Sequence, residues 1–197
     1  MSFIINRSMV LLSTIALLSA CGGGGSTKTS GVSSSAYDGT WKPSPVCEQE
    51  KYTNPEDGQV INSSTKASLV IKGSSATLDV TEYANSLDCT GANEVYKADI
   101  ALTYGDDVPN ASSVCSNTKK VDAKVTSMTV NGVKLTAEAL AALLAADGVP
   151  ALNSYGLLCT SPDGRRLYFG QNIGNLIGNS ESTRPININD EKYLEKQ

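Results

Sequence analysis

The chain has 197 residues, with 16 Lys and Arg against 20 Asp and Glu for a formal charge of −4, five cysteines and no histidine. A weakly acidic chain with no long basic run is poorly suited to nucleic acid or to electrostatic binding of anionic lipid. Without histidine, Ser-His-Asp and Cys-His nucleophiles and His-based metal catalysis are excluded, because each needs a base or ligand that titrates near neutral pH.

In chain order, the first feature is a single charge, Arg7, followed by an apolar run over residues 9–20 that ends in small residues. That is the layout of a secretory signal, too short for a spanning helix, which needs about 20 apolar residues. The run stops at Leu18-Ser19-Ala20-Cys21, and four glycines follow over residues 22–25. Residues 22–36 are nearly all Gly, Ser and Thr and offer nothing to bury; as a flexible coil they have an end-to-end distance of roughly 20 Å. Residues 37–197 are then enough for one β-rich domain.

Leu18-Ser19-Ala20-Cys21 resembles the lipobox of bacterial lipoproteins, an apolar residue and two small residues before an obligatory cysteine. The resemblance implies that residues 1–20 are a lipoprotein signal peptide, cleaved before Cys21, and that Cys21 carries a thioether-linked diacylglyceryl group and an acylated amino terminus. Each buried methylene contributes about 0.8 kcal/mol, so two or three chains hold firmly where one myristoyl chain does not. Gly22 stands where an Asp commonly retains such proteins at the inner membrane, so the resemblance implies the outer membrane. Cleavage would remove Arg7 and take the formal charge from −4 to −5.

Within the domain the dominant period is two. Residues 67–73 and 75–84 read as a hairpin, with Leu69 and Ile71 in one alternation and Ala76, Leu78 and Val80 in the next. Over residues 94–105, Tyr96, Ala98, Ile100, Leu102 and Tyr104 share a face, and over 119–130 Val121, Ala123 and Val125 lie opposite Asp122 and Lys124 before an Asn131-Gly132 turn. Residues 136–148 read as a helix, with Thr136 as N-cap, Glu138 in the first turn, a Leu140, Leu143, Leu144 stripe, and Gly148 and Pro150 at the stop. A short helix of this kind covers an open end or edge of a sheet. Residues 157–171 form a further hairpin about Pro162-Asp163-Gly164. Tyr168 and Phe169 are adjacent, so one of them faces outward or into a second layer. Half-buried strands of this sort pair antiparallel, giving a mainly β fold, a small antiparallel barrel or barrel-like sandwich with one short helix.

Four cysteines remain beyond Cys21: Cys47, Cys89, Cys115 and Cys159. An even number on an exported chain reads as two disulfides with three pairings open. Cys47 with Cys89 and Cys115 with Cys159 is preferred, since both loops then restrict the unfolded chain by about 4 kcal/mol each. No C-x₂₋₄-C spacing and no histidine leave zinc without a ligand set, so no metal is expected.

Gly39-Thr40-Trp41 resembles the G-x-W element that opens the first strand of lipocalin-like barrels. That resemblance implies a barrel floor closed by Trp41, with Arg184 packed over it, and a small apolar ligand inside as one function. Together with Cys47, SLDCTG at 86–91, LYFG at 167–170, Arg184-Pro185 and Tyr193, the domain also resembles small uncharacterised bacterial lipoproteins with a GTW…C…C pattern.

Sites for chemistry are scarce. Glu48/Glu50, Glu56/Asp57, Asp106/Asp107 and Asp190/Glu191 are carboxylate pairs in polar, loop-like sequence, where solvated acids are expected. There is no phosphate-cradling G-x-x-x-x-G-K and no calcium-loop spacing, so no cofactor is expected. The expectation is a non-enzymatic envelope lipoprotein, held at the membrane by its lipid, whose domain binds a protein partner or serves a structural or surface role. The rival is a lipocalin-like carrier.

Overall fold

The computed structural model describes residues 36–53, 58–115, 117–146, 153–171 and 180–197. The signal, Cys21 and the tether up to residue 35 therefore lie outside the described residues, as do Glu56, Asp57, Gly148 and Pro150 and the side chains of Leu143 and Leu144. In chain order come β1 (Gly39–Pro43), β2 (Cys47–Thr53), β3 (Val60–Lys72), β4 (Ser75–Ala84), β5 (Asn93–Asp107), β6 (Lys119–Val130) and β7 (Val133–Lys134). Helix α1 (Ala137–Ala146), β8 (Asn153–Thr160), β9 (Arg166–Gly170), a 3-10 turn (Glu181–Thr183) and β10 (Ile188–Lys196) follow.

From β3 to β6 each strand pairs antiparallel with the next, and β6, β8, β9 and β10 continue the meander. β1 closes it by pairing with β10 on one side and with β3 on the other, Trp41 lying opposite both Lys196 and Leu69. The result is a closed eight-stranded antiparallel barrel, made of every strand except β2 and β7. Closure removes the free edges that an open sheet of half-buried strands would leave.

The turns follow from their residues. Asn131 and Gly132 both have positive φ, the requirement of the two-residue turn that matches strand twist, and they join β6 to β7. At the β8–β9 reversal Gly164 has φ 68° and its N–H bonds the Ser161 carbonyl. Thr136 caps α1 as its spacing predicts, its Oγ1 accepting the Ala139 N–H at 3.1 Å, and Leu140 is buried.

Alternation sorts the side chains into two layers. Trp41, Leu69, Ile71, Leu78, Val80, Ile100, Leu158, Leu167 and Phe169 belong to one buried cluster inside the barrel, with Tyr96 and Tyr104 packed against it. Each large apolar side chain fully buried in this way contributes about 1.5–3 kcal/mol. A second cluster lies on the other face of β8, β9 and β10: Leu157, Cys159, Tyr168 and Ile188, with Ala111 from the β5–β6 connection. Phe169 thus faces inward and Tyr168 joins an outer layer.

Both disulfides pair as preferred, with Sγ–Sγ distances of 2.10 Å for Cys47–Cys89 and 2.02 Å for Cys115–Cys159. The second ties the β5–β6 connection down over the outer cluster. The first ties the β4–β5 connection to β2, and the Cys89 N–H is received by Ser64 Oγ at 3.0 Å.

Two strands were not legible as such. β2 reads CEQEKYT and β10 reads INDEKYLEK, and neither alternates cleanly, because β2 is exposed along nearly its whole length and β10 carries an irregularity between Ile188 and Tyr193. Three of the carboxylate pairs expected in loops consequently sit on strands: Glu48/Glu50 on β2, Asp106/Asp107 at the end of β5 and Asp190/Glu191 on β10.

Candidate functional site

The closed end of the barrel is built around Tyr37, Trp41 and Tyr104. Trp41 is fully buried, and its Nε1–H donates to the Tyr37 carbonyl at 2.9 Å. Tyr37 stacks on Tyr104 with ring centroids 5.3 Å apart, and its hydroxyl reaches the carbonyl of Asn117 at 3.3 Å. Asp38 accepts the Gly73 N–H at 2.8 Å, and Tyr104 donates to the Gly73 carbonyl, so the β3–β4 turn is pinned to the same end. Lys119, almost buried beside Leu158, is neutralised by Asp107 at 2.8 Å.

Burial, reinforced by the Asp107 charge, pushes the Tyr37 hydroxyl up to about 12 from 10.0. Burial also raises Tyr104, with the neighbouring Tyr37 and Asp38 adding to it. A folded-state value above the unfolded one means that the neutral phenol stabilises the fold. That contribution is full below pH 10 and is lost as pH rises from 10 through 12. Stability against urea is therefore expected to be insensitive to these tyrosines up to pH 10 and to fall between 10 and 12. Absorbance of ionised tyrosine near 295 nm should rise in step with unfolding.

Arg184 does not pack over Trp41. The cation over that ring is Lys196, 5.2 Å from its centroid, whereas Arg184 stands 4.9 Å from the ring centroid of Tyr155, on the outer side of the wall. The reason is register: Asp122 and Tyr155 face each other across β6 and β8 and alternate with the inward Val121. Arg184 binds this outer face. It donates to the carbonyls of Val121 and Gly156, one on each strand, and to the carboxylates of Asp122 and Glu181. Burial opposes its charge, but the hydrogen bonds to Glu181 and Asp122 prevail and raise its affinity for the proton. Arg184 is thus a staple between β6 and β8, and no signal in the sequence distinguished that role from the floor. Arg184→Ala is expected to cost about 1–3 kcal/mol in urea denaturation, because it removes the charge-assisted bonds that bridge β6 and β8 and leaves Asp122 and Glu181 without the cation they share.

At the opposite end, Glu48, Glu82 and Glu94 face inward, opposite Thr65 on β3 or each other across β4 and β5. The Tyr96 hydroxyl donates to Glu94 at 2.7 Å. Glu48 itself stays exposed, yet partial desolvation by its neighbours raises it, and the charge of Lys192 on β10 takes back only part of that rise. Among the described residues no three His, Cys, Asp or Glu side chains are placed to hold a metal ion, and no helix is long and apolar enough to cross a membrane.

Beyond Pro43 the wall changes. β1 leaves β10 there, and after a bend the chain continues as β2, which pairs with the first half of β3 alone among the described residues. Four large apolar residues are exposed on this extension: Val46, Tyr52, Val60 and Ile61, with Val60 at 60%. Tyr52 and Ile61 are direct cross-strand partners. This β2–β3 extension is the surface that sequence reasoning missed, since its apolar residues are interspersed with charges. No family model, curated protein or solved structure matches the chain.

Proposed function

We propose that this protein is a non-enzymatic lipoprotein of the bacterial cell envelope, held in the outer membrane through lipid on Cys21, whose barrel binds a protein partner. The observation that carries the binding part is the far end of the β2–β3 extension, where the cross-strand partners Tyr52 and Ile61 are exposed on one face and Val60 on the other, beside a strand exposed along nearly its whole length. Apolar side chains at the end of a projecting sheet lose free energy to water that a partner surface recovers. The barrel interior, by contrast, is occupied by large side chains such as Trp41, Ile71, Leu167 and Phe169 drawn from several strands, which favours a structural core over a carrier's pocket. The lipobox and the Gly/Ser tether support the placement: an anchored chain with a reach of roughly 20 Å lets the extension meet a neighbour in the same envelope.

A photo-cross-linking side chain at Val60, in intact cells, tests the reading, with the same group at the exposed Lys124 on the barrel wall as control. One discrete, identifiable adduct from Val60 and none from Lys124 is the expected result. Absence of any adduct from Val60, or from Tyr52 in its place, would overturn it.

A further inference from the structure

The geometry points to strand addition as the mode of binding: the outer edge of β2 takes an extended segment of the partner protein as one more antiparallel strand, with basic residues of that segment facing Glu48 and Glu50. The inference rests on the partner-binding reading and specifies its chemistry.

The edge can be assigned residue by residue. The Asn62 carbonyl accepts the Asn85 N–H at the end of β4, so the main-chain groups of Asn62 face β4. Its cross-strand partner on β2 is Lys51, whose N–H and C=O must then point away from β3. Because the pattern repeats every second residue, Cys47, Gln49 and Thr53 present their main-chain groups on the same side, and Glu48, Glu50 and Tyr52 bond β3. Residues 48–53 are all exposed. A ladder of donors and acceptors is thus displayed along one side of a seven-residue strand, which is the requirement for β-augmentation.

Charge selects the occupant. Glu48, Glu50 and Tyr52 lie on one face, opposite Thr65, Ser63 and Ile61, while Gln49 and Lys51 lie on the other. A second copy of β2 fits badly. A two-fold axis through the sheet keeps faces matched, so the central registers set Glu50 on Glu50, Lys51 on Lys51, or Glu48 on Glu50, and like charges directly opposite destabilise a pair. A different chain escapes that repulsion. Its inward positions are Lys or Arg opposite Glu48 and Glu50 and apolar opposite Tyr52, and its outward position opposite Lys51 is acidic. The same charges that protect the edge from self-pairing give it a preferred partner.

The test uses the full chain in detergent micelles and a fluorescent seven-residue peptide carrying that pattern, read by anisotropy. Gln49→Pro removes an N–H that faces away from β3, so the β2–β3 ladder is retained while the added strand loses a bond. Binding is expected to weaken at least tenfold in Gln49→Pro and at least tenfold in Glu50→Lys. A peptide with glutamate at the position facing residue 50 should restore affinity for Glu50→Lys. No binding to the wild-type chain, or equal binding to Gln49→Pro, would overturn strand addition. If the peptide fails while Val60 still cross-links in cells, strand addition falls and the partner reading stands; if the peptide binds and Val60 captures nothing, the partner reading falls and strand addition to a partner falls with it, leaving only an edge that accepts a peptide in solution.

Discussion

Trp41→Ala is expected to lower the stability of the folded domain by about 3–5 kcal/mol, the range for deleting a large aromatic side chain from a well-packed site. Trp41 has no exposed surface, stands where β1 joins the barrel between Lys196 and Leu69, and ties its indole N–H to Tyr37. The loss therefore combines missing apolar burial, a cavity in the main cluster and an unpaired Tyr37 carbonyl. Since β1 alone closes the barrel, the hole forms at the seam where the neighbouring strands are least able to collapse into it. Trp41→Phe, which keeps most of the ring and drops the hydrogen bond, should cost distinctly less. Urea denaturation followed by far-UV circular dichroism separates the two. Equal and small effects would show that the seam does not depend on this side chain.

The second large effect is expected from Cys115→Ala/Cys159→Ala. Cross-links spanning 42 residues (Cys47–Cys89) and 44 residues (Cys115–Cys159) restrict the unfolded chain almost equally, each by about 4 kcal/mol in the loop-entropy account. Their native surroundings differ. Cys159 is fully buried in the outer cluster, and Cys115 holds the β5–β6 connection against Leu157, Tyr168 and Ile188, assisted by Ser112 and Ser113, which both donate to Asp190 at 2.8 Å. Cys89 is as buried as Cys159, and Cys47 is half-buried like Cys115, but neither Cys47 nor Cys89 belongs to either apolar cluster, and Cys47 opens the exposed extension. Removing Cys115–Cys159 should accordingly destabilise by more than removing Cys47–Cys89, because the outer cluster is uncovered as well. Thermal unfolding of the two double variants decides this, and the order reversed would contradict the account of the outer layer.

How much of this was legible in the sequence depends on burial. Strands β4, β5 and β6 announce themselves because one face of each is covered, so Ala76-Leu78-Val80, Ala98-Ile100-Leu102 and Val121-Ala123 alternate with polar residues. The outer layer also left a mark: Leu157-Leu158 and Tyr168-Phe169 are adjacent apolar pairs, which a strand needs only when both of its faces are covered. β2 left none, since a strand exposed on both faces has no apolar period to show. Arg184 shows a different limit. Its type and position suited the barrel floor, yet the chain after the 3-10 turn runs over the outside of β8 and β9, where Pro185 lies against Gly170 so closely that a Cβ there would meet it at 2.8 Å. Three-dimensional path, and not residue type, decided which ring received the guanidinium.

The central claim is that a folded barrel is presented to its partner from a lipid anchor on Cys21, and the most direct measurement is metabolic labelling with radioactive palmitate followed by fractionation. The wild-type chain is expected to be labelled and to sediment with membranes, and Cys21→Ser to be unlabelled and released from them. An unlabelled wild-type chain, or a Cys21→Ser variant labelled and membrane-bound to the same extent, would contradict it.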